Sequence, residues 1–390
     1  MTELDRSVLL PLAVKPDPIM VRGQGSWLWD HERRQYLDFV QGWAVNCLGH
    51  CSPVIQRALA EQAGLLINAS PAYYNQTALE LASALTRRAG LDHAFLCSTG
   101  AEANEGAIKL ARKWGAKRRA GAYEIITAID SFHGRTLATM AATGKPGFAA
   151  IFPPVMPGFV HVPFGDLAAT ARAITDKTAA IMVEPIQGEA GVVMPPDDYI
   201  RGLRELTEQH GILLILDEIQ TGMGRTGTLF AFEHAGVRPD ILTLGKSIGA
   251  GVPLAAVLNR RDAHCFEPGD QGGTYTGHPL MAAVGLAVLR ELTSPGFLEH
   301  VRAAGMHLAT GLTRIADTVG AARPRGVGLL WALPLPAPKG AEVVAAALGE
   351  GLLLNSPRPG LLRFSPALNV SLSDIDEMLV RLSRSLRGVL

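Results

Sequence analysis

The chain has 390 residues, of which 48% are hydrophobic and 18% are charged, with 36 basic and 36 acidic residues. A chain of this length is too long for one ordinary hydrophobic core, so we expect two domains. The hydrophobic and charged fractions are typical of a compact globular protein and exclude a disordered chain. Because the charges balance, there is no electrostatic reason to expect a nucleic-acid partner or an anionic membrane surface.

The N-terminal region gives neither a targeting signal nor a metal motif. Residues 1–18 lack the basic start and small-residue cleavage pattern of a secretory signal, and no apolar run approaches the ~20 residues of a membrane span. We therefore expect a cytoplasmic protein. Cys47, His50 and Cys51 lie close together in the sequence, but no second group of ligands that would complete a metal site is apparent. The four cysteines, which also include Cys97 and Cys265, are too few and too scattered for a disulfide framework. We predict incidental thiols and no metal ion.

In chain order, a small hairpin is predicted over residues 27–38, followed by a helix that begins at Ser52-Pro53 and runs to about residue 66. The middle of the chain alternates apolar runs with amphipathic segments, and we predict strands over residues 93–98, 124–129, 159–163, 179–185, 212–218, 241–246 and 254–259. Most of these runs are continuously apolar, as in strands that are covered on both faces. The pattern predicts an α/β fold with a mainly parallel central sheet flanked by helices.

The last third of the chain has a different pattern. Past residue 279 it is first helical, then gives short strands over residues 329–335, 352–355 and 361–364, and ends in a helix that starts near Ser373. We therefore predict a large domain of residues 53–278. A smaller α+β domain is expected from both ends of the chain, residues 1–52 and 279–390.

Two charged residues stand where buried strands are expected to emerge. Lys246 closes the apolar run 241–245, and Asp217 closes the run 212–216. Taken singly, the lysine could be a solvated surface group and the aspartate a helix cap, but a charge at such a position is costly unless something pairs with it. An amine that can form an imine, and a carboxylate that can keep a ring nitrogen protonated, are what a pyridoxal phosphate (PLP) enzyme requires.

Further polar residues follow other predicted strands. Residues 98–101 open a helix whose free amides could bind a phosphate, although many strand-to-helix turns have this composition. Phe132 could lie against a planar ring and Arg135 could bind a carboxylate, or they could be a core phenylalanine beside a surface arginine. Glu184 and Glu189 set two acids close to the same predicted cleft.

The ordered motifs STGAEANE, SFHGRT, EPIQGEAGV, DEIQTGMGRTG, LGKSIGAG and GGTYTGHPL resemble those of the class III, or ω-amino, aminotransferases of PLP fold type I. Among these, the acetylornithine aminotransferases are the most similar, and the similarity runs almost end to end. The resemblance implies PLP as cofactor and a homodimer with shared active sites. It also implies transfer of the δ-amino group of N-acetylornithine to 2-oxoglutarate, giving glutamate, in arginine biosynthesis.

Carried over position by position, the resemblance assigns the cofactor contacts. Lys246 would hold PLP through an imine, and Asp217 would pair with the ring nitrogen. Phe132 would stack on the ring, and Gln220 would contact the ring oxygen. The remaining cofactor-binding residues would be Thr99, Gly100 and Ala101, the last two through amides on the phosphate, together with Thr274 from the partner subunit.

The resemblance also assigns the substrate contacts. Arg135 would bind the carboxylate far from the reacting amine, and Arg363 would bind the α-carboxylate of glutamate or 2-oxoglutarate. Glu189 would neutralise Arg363 when the ω-amino substrate is bound instead. Gly273, where many members of the family have serine, would lie near the substrate.

The chain departs from the commonest motifs at Ser98-Thr99, Gly273 and His278. These departures leave open which ω-amine is the donor, since succinylornithine, succinyldiaminopimelate, ornithine or 4-aminobutyrate would suit the same reaction type. An aminomutase of the glutamate-semialdehyde type shares the scaffold but would need no oxo acid. A non-catalytic protein with a retained fold is the third interpretation.

Overall fold

The computed structural model describes residues 5–390, so residues 1–4 of the predicted N-terminal segment lie outside the described part of the chain. The first elements are β1 (Met20–Gln24), β2 (Trp27–Asp30), β3 (Gln35–Asp38), α1 (Gln41–Ala44), α2 (Pro53–Ala63) and α3 (Gln76–Ala89). β2 and β3 pair in antiparallel fashion, which confirms the predicted hairpin. α2 begins at the predicted proline and ends three residues before the predicted end, where Gly64 follows. α1 is a single turn in which all four residues have positive φ.

The middle of the chain builds the central sheet. Its elements are β4 (His93–Cys97), α4 (Gly100–Arg118), β5 (Glu124–Ala128), α5 (Leu137–Ala142), β6 (Phe159–Val162), α6 (Leu167–Ala173), β7 (Thr178–Val183), α7 (Tyr199–His210), β8 (Leu213–Asp217), β9 (Ile241–Leu244) and β10 (Ala255–Asn259). The seven strands lie in the order β4-β10-β9-β8-β7-β5-β6. β9, β8, β7, β5 and β6 are parallel, whereas β10 is antiparallel to both of its neighbours. All residues of β7, β8, β9 and β10 are buried, as expected of strands covered on both faces.

The C-terminal part completes two smaller sheets. Its elements are α8 (Pro279–Leu292), α9 (Phe297–Val319), β11 (Arg325–Val327), β12 (Leu330–Pro334), α10 (Gly340–Gly349), β13 (Leu352–Leu353), β14 (Asn355–Arg358), β15 (Leu361–Phe364) and α11 (Leu372–Arg387). One sheet has the order β11-β12-β15-β14, and the other has the order β1-β2-β3-β13. The sheet β1-β2-β3-β13 therefore combines strands from the N-terminal and C-terminal parts of the chain.

The single strand predicted over residues 352–355 is two strands in two sheets. Leu352 and Leu353 pair with β3 in parallel, whereas Asn355 pairs with Arg363 of β15. Sequence periodicity could not separate them, because the apolar run 352–354 leads directly into Asn355 and the strand partners are set only in the folded protein. The pairing of β14 with β15 matters for the site, because it brings the Asn355 side chain next to Arg363.

Within residues 5–390, no single helix has the length and apolarity needed to cross a membrane, although α8 and α9, bent by 72° at their junction, meet those criteria as a pair. The domain boundaries at residues 52/53 and 278/279 stay predictions.

Candidate active site

The carboxyl ends of the parallel strands meet at one edge of the central sheet. Glu184 follows β7, Asp217 ends β8, and Lys246 stands two residues after β9. In open α/β sheets, ligands bind outside this edge because loops and helix starts converge there. A cavity of about 300 Å³ opens at this position, a volume that suits a small cofactor or substrate. Its lining is Gly100, Ala101, Phe132, His133, Gly134, Arg135, Glu184, Ile186, Glu189, Asp217, Ile219, Gln220, Thr221 and Lys246.

Lys246 is held in an unusual backbone conformation. It begins the 3₁₀ turn Lys246–Ile248 with φ +46°, in the left-handed region that residues other than glycine rarely adopt. Such strain persists where the surroundings over-determine it, and it is frequent at functional sites. Burial lowers the pKa of the Lys246 amine to about 8, although the nearby Glu189 carboxylate opposes the shift. A sizeable fraction of the amine is therefore neutral and nucleophilic near neutral pH.

Asp217 is buried and held by three donors. Its Oδ2 accepts a hydrogen bond from Asn104 Nδ2 at 2.7 Å and lies 2.8 Å from His133 Nδ1, while Oδ1 accepts from the Ile219 amide at 3.1 Å. Burial acts to lower the pKa of His133, but the Asp217 carboxylate outweighs it, so the pKa of the imidazole is raised. The carboxylate is thus fixed in place as a negative charge at the cavity wall.

The start of α4 presents unused amides to the cavity. Thr99 is the N-cap: its hydroxyl accepts from the Glu102 amide at 3.2 Å, and the Glu102 carboxylate accepts from the Thr99 amide. Within the described chain, the amides of Gly100 and Ala101 have no hydrogen-bond partner, so they remain donors for an anion. A side chain at Gly100 would not fit, because its Cβ would lie 2.8 Å from Ile219 Cδ1.

Glu184 accepts hydrogen bonds from two loops at the cavity. Its Oε1 accepts a hydrogen bond from the Phe132 amide at 2.6 Å, and its Oε2 accepts from the Gly188 amide at 3.2 Å. Burial raises the pKa of this carboxyl to about 7, although His133 opposes the shift. Glu184 therefore positions the Phe132 ring and the turn that carries Glu189.

Glu189, Arg363 and Gln220 form a buried polar cluster at one end of the cavity. Arg363 Nη1 donates to Glu189 Oε1 at 2.6 Å, and Gln220 Oε1 lies 3.3 Å from the same nitrogen. Gln220 Nε2 donates to Glu189 Oε1 at 3.3 Å. Burial alone would raise the pKa of Glu189, but the Arg363 guanidinium prevails, so the pKa falls to about 2. The Arg363 side chain is 2% exposed and the Glu189 side chain is 24% exposed, so the ion pair is largely shielded from solvent.

Arg135 is an arginine of the cavity lining itself, whereas Arg363 lies behind the lining residues Glu189 and Gln220 and contacts both. Arg135 is exposed, and its guanidinium carbon lies 5.8 Å from the centre of the Phe148 ring. Among residues 5–390 it has no ion-pair partner, so it is available to an anionic ligand. The cavity therefore has one arginine that is paired with a protein carboxylate and one that is not.

The structure brings together most of the predicted site residues, and the roles assigned to them stay predictions. Lys246, Asp217, Gly100, Ala101, Phe132, Gln220, Arg135 and Glu189 line the cavity, Arg363 contacts two of these residues, and Thr99 caps α4. Gly273 and Thr274 lie instead in an exposed turn before α8.

Sequence reasoning did not assign roles to two buried residues of the site. Asn104 is a polar residue on the buried face of α4, and His133 stands within the SFHGRT motif. The only signal for Asn104 is an amide among alanines at helical spacing, since its partner Asp217 is 113 residues away. In the cluster of Cys47, His50 and Cys51, Cys47 Sγ donates to Ser247 O and His50 Nε2 lies 2.8 Å from Asp38 Oδ2.

Comparison with known proteins identifies the family. The model of the class III aminotransferases matches residues 13–386. Acetylornithine aminotransferase 2 of Bordetella bronchiseptica is 53% identical over 386 residues, which cover 98% of each chain. The chain is a class III aminotransferase. The family and the PLP fold type I architecture predicted from the motifs are thereby confirmed.

Two solved structures resemble this aminotransferase closely. The N-acetylornithine aminotransferase of Stenotrophomonas maltophilia K279a is 36% identical, with a TM-score of 0.84 over 96% of each chain. An ornithine aminotransferase of Toxoplasma gondii, with PLP at partial occupancy in its active site, is 32% identical and has a TM-score of 0.93. That match covers 99% of this chain and 93% of the other.

This aminotransferase is PLP-dependent, and the residues of its cavity fit that cofactor. Lys246 supplies the amine, Asp217 supplies a fixed carboxylate, and the α4 amides supply donors for a phosphate. When bound, PLP supplies an electron sink that stabilises negative charge on a substrate carbon.

Proposed function

We propose that this class III aminotransferase transfers the δ-amino group of N2-acetyl-L-ornithine to 2-oxoglutarate, in arginine biosynthesis. The observation that carries the proposal is the contrast between the two arginines of the cavity. Arg135 has no ion-pair partner within the described chain, and Arg363 is paired with Glu189. The sequence similarity to acetylornithine aminotransferases gives independent support.

The unpaired arginine suits the donor. N-acetylornithine has one carboxylate, which lies far from the reacting δ-amine, and its α-nitrogen is an uncharged amide. A guanidinium at the cavity mouth can bind that carboxylate through two parallel hydrogen bonds. The donor then needs no second cationic residue, so Arg363 can stay paired with Glu189 while the δ-amine enters.

The paired arginine suits the acceptor. 2-Oxoglutarate has two carboxylates and needs a cationic residue at each end. When Glu189 moves away from Arg363, the guanidinium can bind the α-carboxylate, while Arg135 binds the distal one. An exchangeable protein carboxylate therefore lets one cavity accept an ω-amine and an α-oxo acid in turn.

Lys246 and Asp217 would perform the proton chemistry. The Lys246 amine, with its pKa lowered to about 8 by burial, can accept the proton from the donor carbon that carries the reacting nitrogen. Asp217, fixed by Asn104 and His133, would keep the ring nitrogen of the cofactor protonated.

We further propose a homodimer in which Thr274 of each subunit completes the phosphate site of the other. The exposed position of Thr274 outside the cavity lining of its own chain is consistent with this role. The cytoplasmic location and the two-domain division with boundaries at residues 52/53 and 278/279 belong to the same proposal.

The donor is tested with a matched pair of amines. N-acetylputrescine is N-acetylornithine without its carboxylate, so comparing kcat/KM for the two measures what the carboxylate contributes. We expect the wild-type protein to prefer N-acetylornithine by about 10- to 100-fold, since a hydrogen bond to a charged group contributes ~1.5–3 kcal/mol. Arg135→Gln should bring the two amines to within a few-fold. Arg172→Gln, which changes an exposed arginine on α6, should keep the wild-type preference.

Other outcomes point to the other donors. A higher kcat/KM with ornithine, N-succinylornithine, succinyldiaminopimelate or 4-aminobutyrate than with N-acetylornithine would refute the proposed substrate. The structural match to an ornithine aminotransferase makes ornithine the first of these to measure. Turnover without any 2-oxo acid would indicate an aminomutase instead.

A further inference from the structure

Asn355 holds a part of Arg363 that Glu189 does not touch. The two residues are direct cross-strand partners on β14 and β15, so their side chains lie on the same face of the sheet. The Asn355 Oδ1 accepts a hydrogen bond from Arg363 Nε at 3.0 Å. Because Nε–H can only donate, it is the oxygen of the amide that must face it.

The other nitrogens of the guanidinium have different surroundings. Nη1 donates to Gly188 O at 2.9 Å and to Glu189 Oε1 at 2.6 Å, and it lies 3.3 Å from Gln220 Oε1. Within residues 5–390, the buried Nη2 has no hydrogen-bond partner. Asn355 thus holds the Nε side of the guanidinium. Of the other two nitrogens, Nη1 has side-chain contacts to Glu189 and Gln220, and Nη2 is an open donor within the described residues.

We propose that Asn355 is a positioning residue that holds the guanidinium plane of Arg363, so that its Nη1/Nη2 edge receives the α-carboxylate of the 2-oxo acid. The inference rests on the proposed function. When a carboxylate replaces Glu189 at Nη1, the contacts to Asn355 and to Gly188 O remain. The plane therefore has the same orientation in both half-reactions, which two parallel hydrogen bonds to a planar carboxylate require.

This role predicts a selective loss. In the donor half-reaction, Arg363 is paired with Glu189 and the substrate does not use its free edge. In the acceptor half-reaction, the substrate carboxylate depends on the orientation of that edge. A residue with a merely structural role would affect both half-reactions by a similar factor.

The test uses Asn355→Leu, which keeps the approximate size and removes the acceptor, and Asn355→Ala as a second variant in case the first does not fold. In single-turnover measurements, the donor half-reaction starts from the PLP form of the protein and the acceptor half-reaction from its pyridoxamine phosphate form. The second-order rate constant of the pyridoxamine phosphate form with 2-oxoglutarate should fall at least 10-fold. The rate constant with N-acetylornithine should stay within threefold. Asn369→Leu is the matched control, because it removes a side-chain amide that bonds Leu48 O elsewhere in the C-terminal region, and it should change neither rate.

A binding measurement separates the inference from the proposed function. Glutarate has both carboxylates of 2-oxoglutarate and no reactive carbonyl group, so its dissociation constant can be measured by calorimetry without turnover. It should rise at least 10-fold in Asn355→Leu and stay unchanged in Asn369→Leu. Equal losses in both half-reactions, or unchanged glutarate affinity, would overturn the role of Asn355. A wild-type protein that binds glutarate but does not react with N-acetylornithine would refute only the proposed donor.

Discussion

Replacing Glu189 by glutamine should shift this enzyme from ω-amines toward α-amino and α-oxo acids. The change keeps the size of the side chain and removes its charge. In the native protein, Glu189 Oε1 lies 2.6 Å from Arg363 Nη1, so a substrate carboxylate must displace it. Glutamine leaves the guanidinium without a competing anion, and the α-carboxylate of 2-oxoglutarate should then bind more tightly.

The pKa of Glu189 gives the size of the effect. The pKa falls from its ordinary value of 4.5 to about 2, and each pKa unit corresponds to about 1.4 kcal/mol, so the surroundings favour the charged form by roughly 3 kcal/mol. Arg363, Lys246 and Gln220 all contribute to this lowering of the pKa, and a hydrogen bond to a charged group contributes about 1.5–3 kcal/mol, so we expect the loss of the competing anion to be worth about 1.5–2 kcal/mol. The KM for 2-oxoglutarate should therefore fall by about 10- to 30-fold. The donor half-reaction should slow, because the positive charge of Arg363 is no longer neutralised near the entering amine.

Single-turnover absorbance changes of the cofactor measure the two half-reactions separately. The informative quantity is the ratio of the second-order rate constants for 2-oxoglutarate and N-acetylornithine. Glu377→Gln is a suitable control, since it removes a carboxylate from the ion pair with Arg381 on α11, away from the cavity. A ratio in Glu189→Gln that stays within threefold of the wild-type value, with an intact fold, would refute the exchange of Glu189 for substrate.

Three further predictions concern the same cavity. Gly188→Ala should lower kcat/KM about tenfold, because the new Cβ would lie 1.7 Å from Gln220 Oε1 and displace the Gln220 side chain. Gly349→Ala is the control and should behave like the wild type, because no atom lies within 4 Å of its Cβ. The rate at which the apoprotein binds PLP should rise with pH, with a midpoint of about 8. Burial lowers the pKa of Lys246 to about 8, and only the neutral amine reacts. A midpoint near 10.5 would contradict this reasoning. Asn104→Leu should lower the free energy of unfolding by about 1–3 kcal/mol, measured by urea denaturation of the apoprotein, since it leaves the buried His133 O without its donor and removes one of the two donors to Asp217 Oδ2.

The central sheet and the chemistry at its edge were predictable because their determinants are local. Continuously apolar runs such as 212–216 and 241–245 predict buried strands, and these strands form β8 and β9. A charged residue directly after each run indicates a functional edge, because burial of an unpaired charge is costly. The order of the motifs along the chain then indicated the family.

The connections between distant segments were not predictable in the same way. Asn104 and His133 meet at Asp217 across 113 and 84 residues, and neither position has a local pattern that reports the contact. The same holds for Asn355, which periodicity assigned to the strand of Leu352 although it pairs with Arg363 in another sheet. A residue's strand partner is a property of the folded sheet and leaves little trace in its own sequence neighbourhood.

The sequence by itself determined which elements form, which family the chain belongs to, and that an amine and a carboxylate stand at neighbouring strand ends. Those features follow from apolar runs, glycines and motif spacing, which act over a few residues. Only the tertiary structure decided that Arg135 has no ion-pair partner among residues 5–390, and that Asn355 rather than a carboxylate holds Arg363 Nε. The pairing of a buried charge depends on which distant side chains reach it in three dimensions, because an ion pair or a hydrogen bond acts over only a few ångströms.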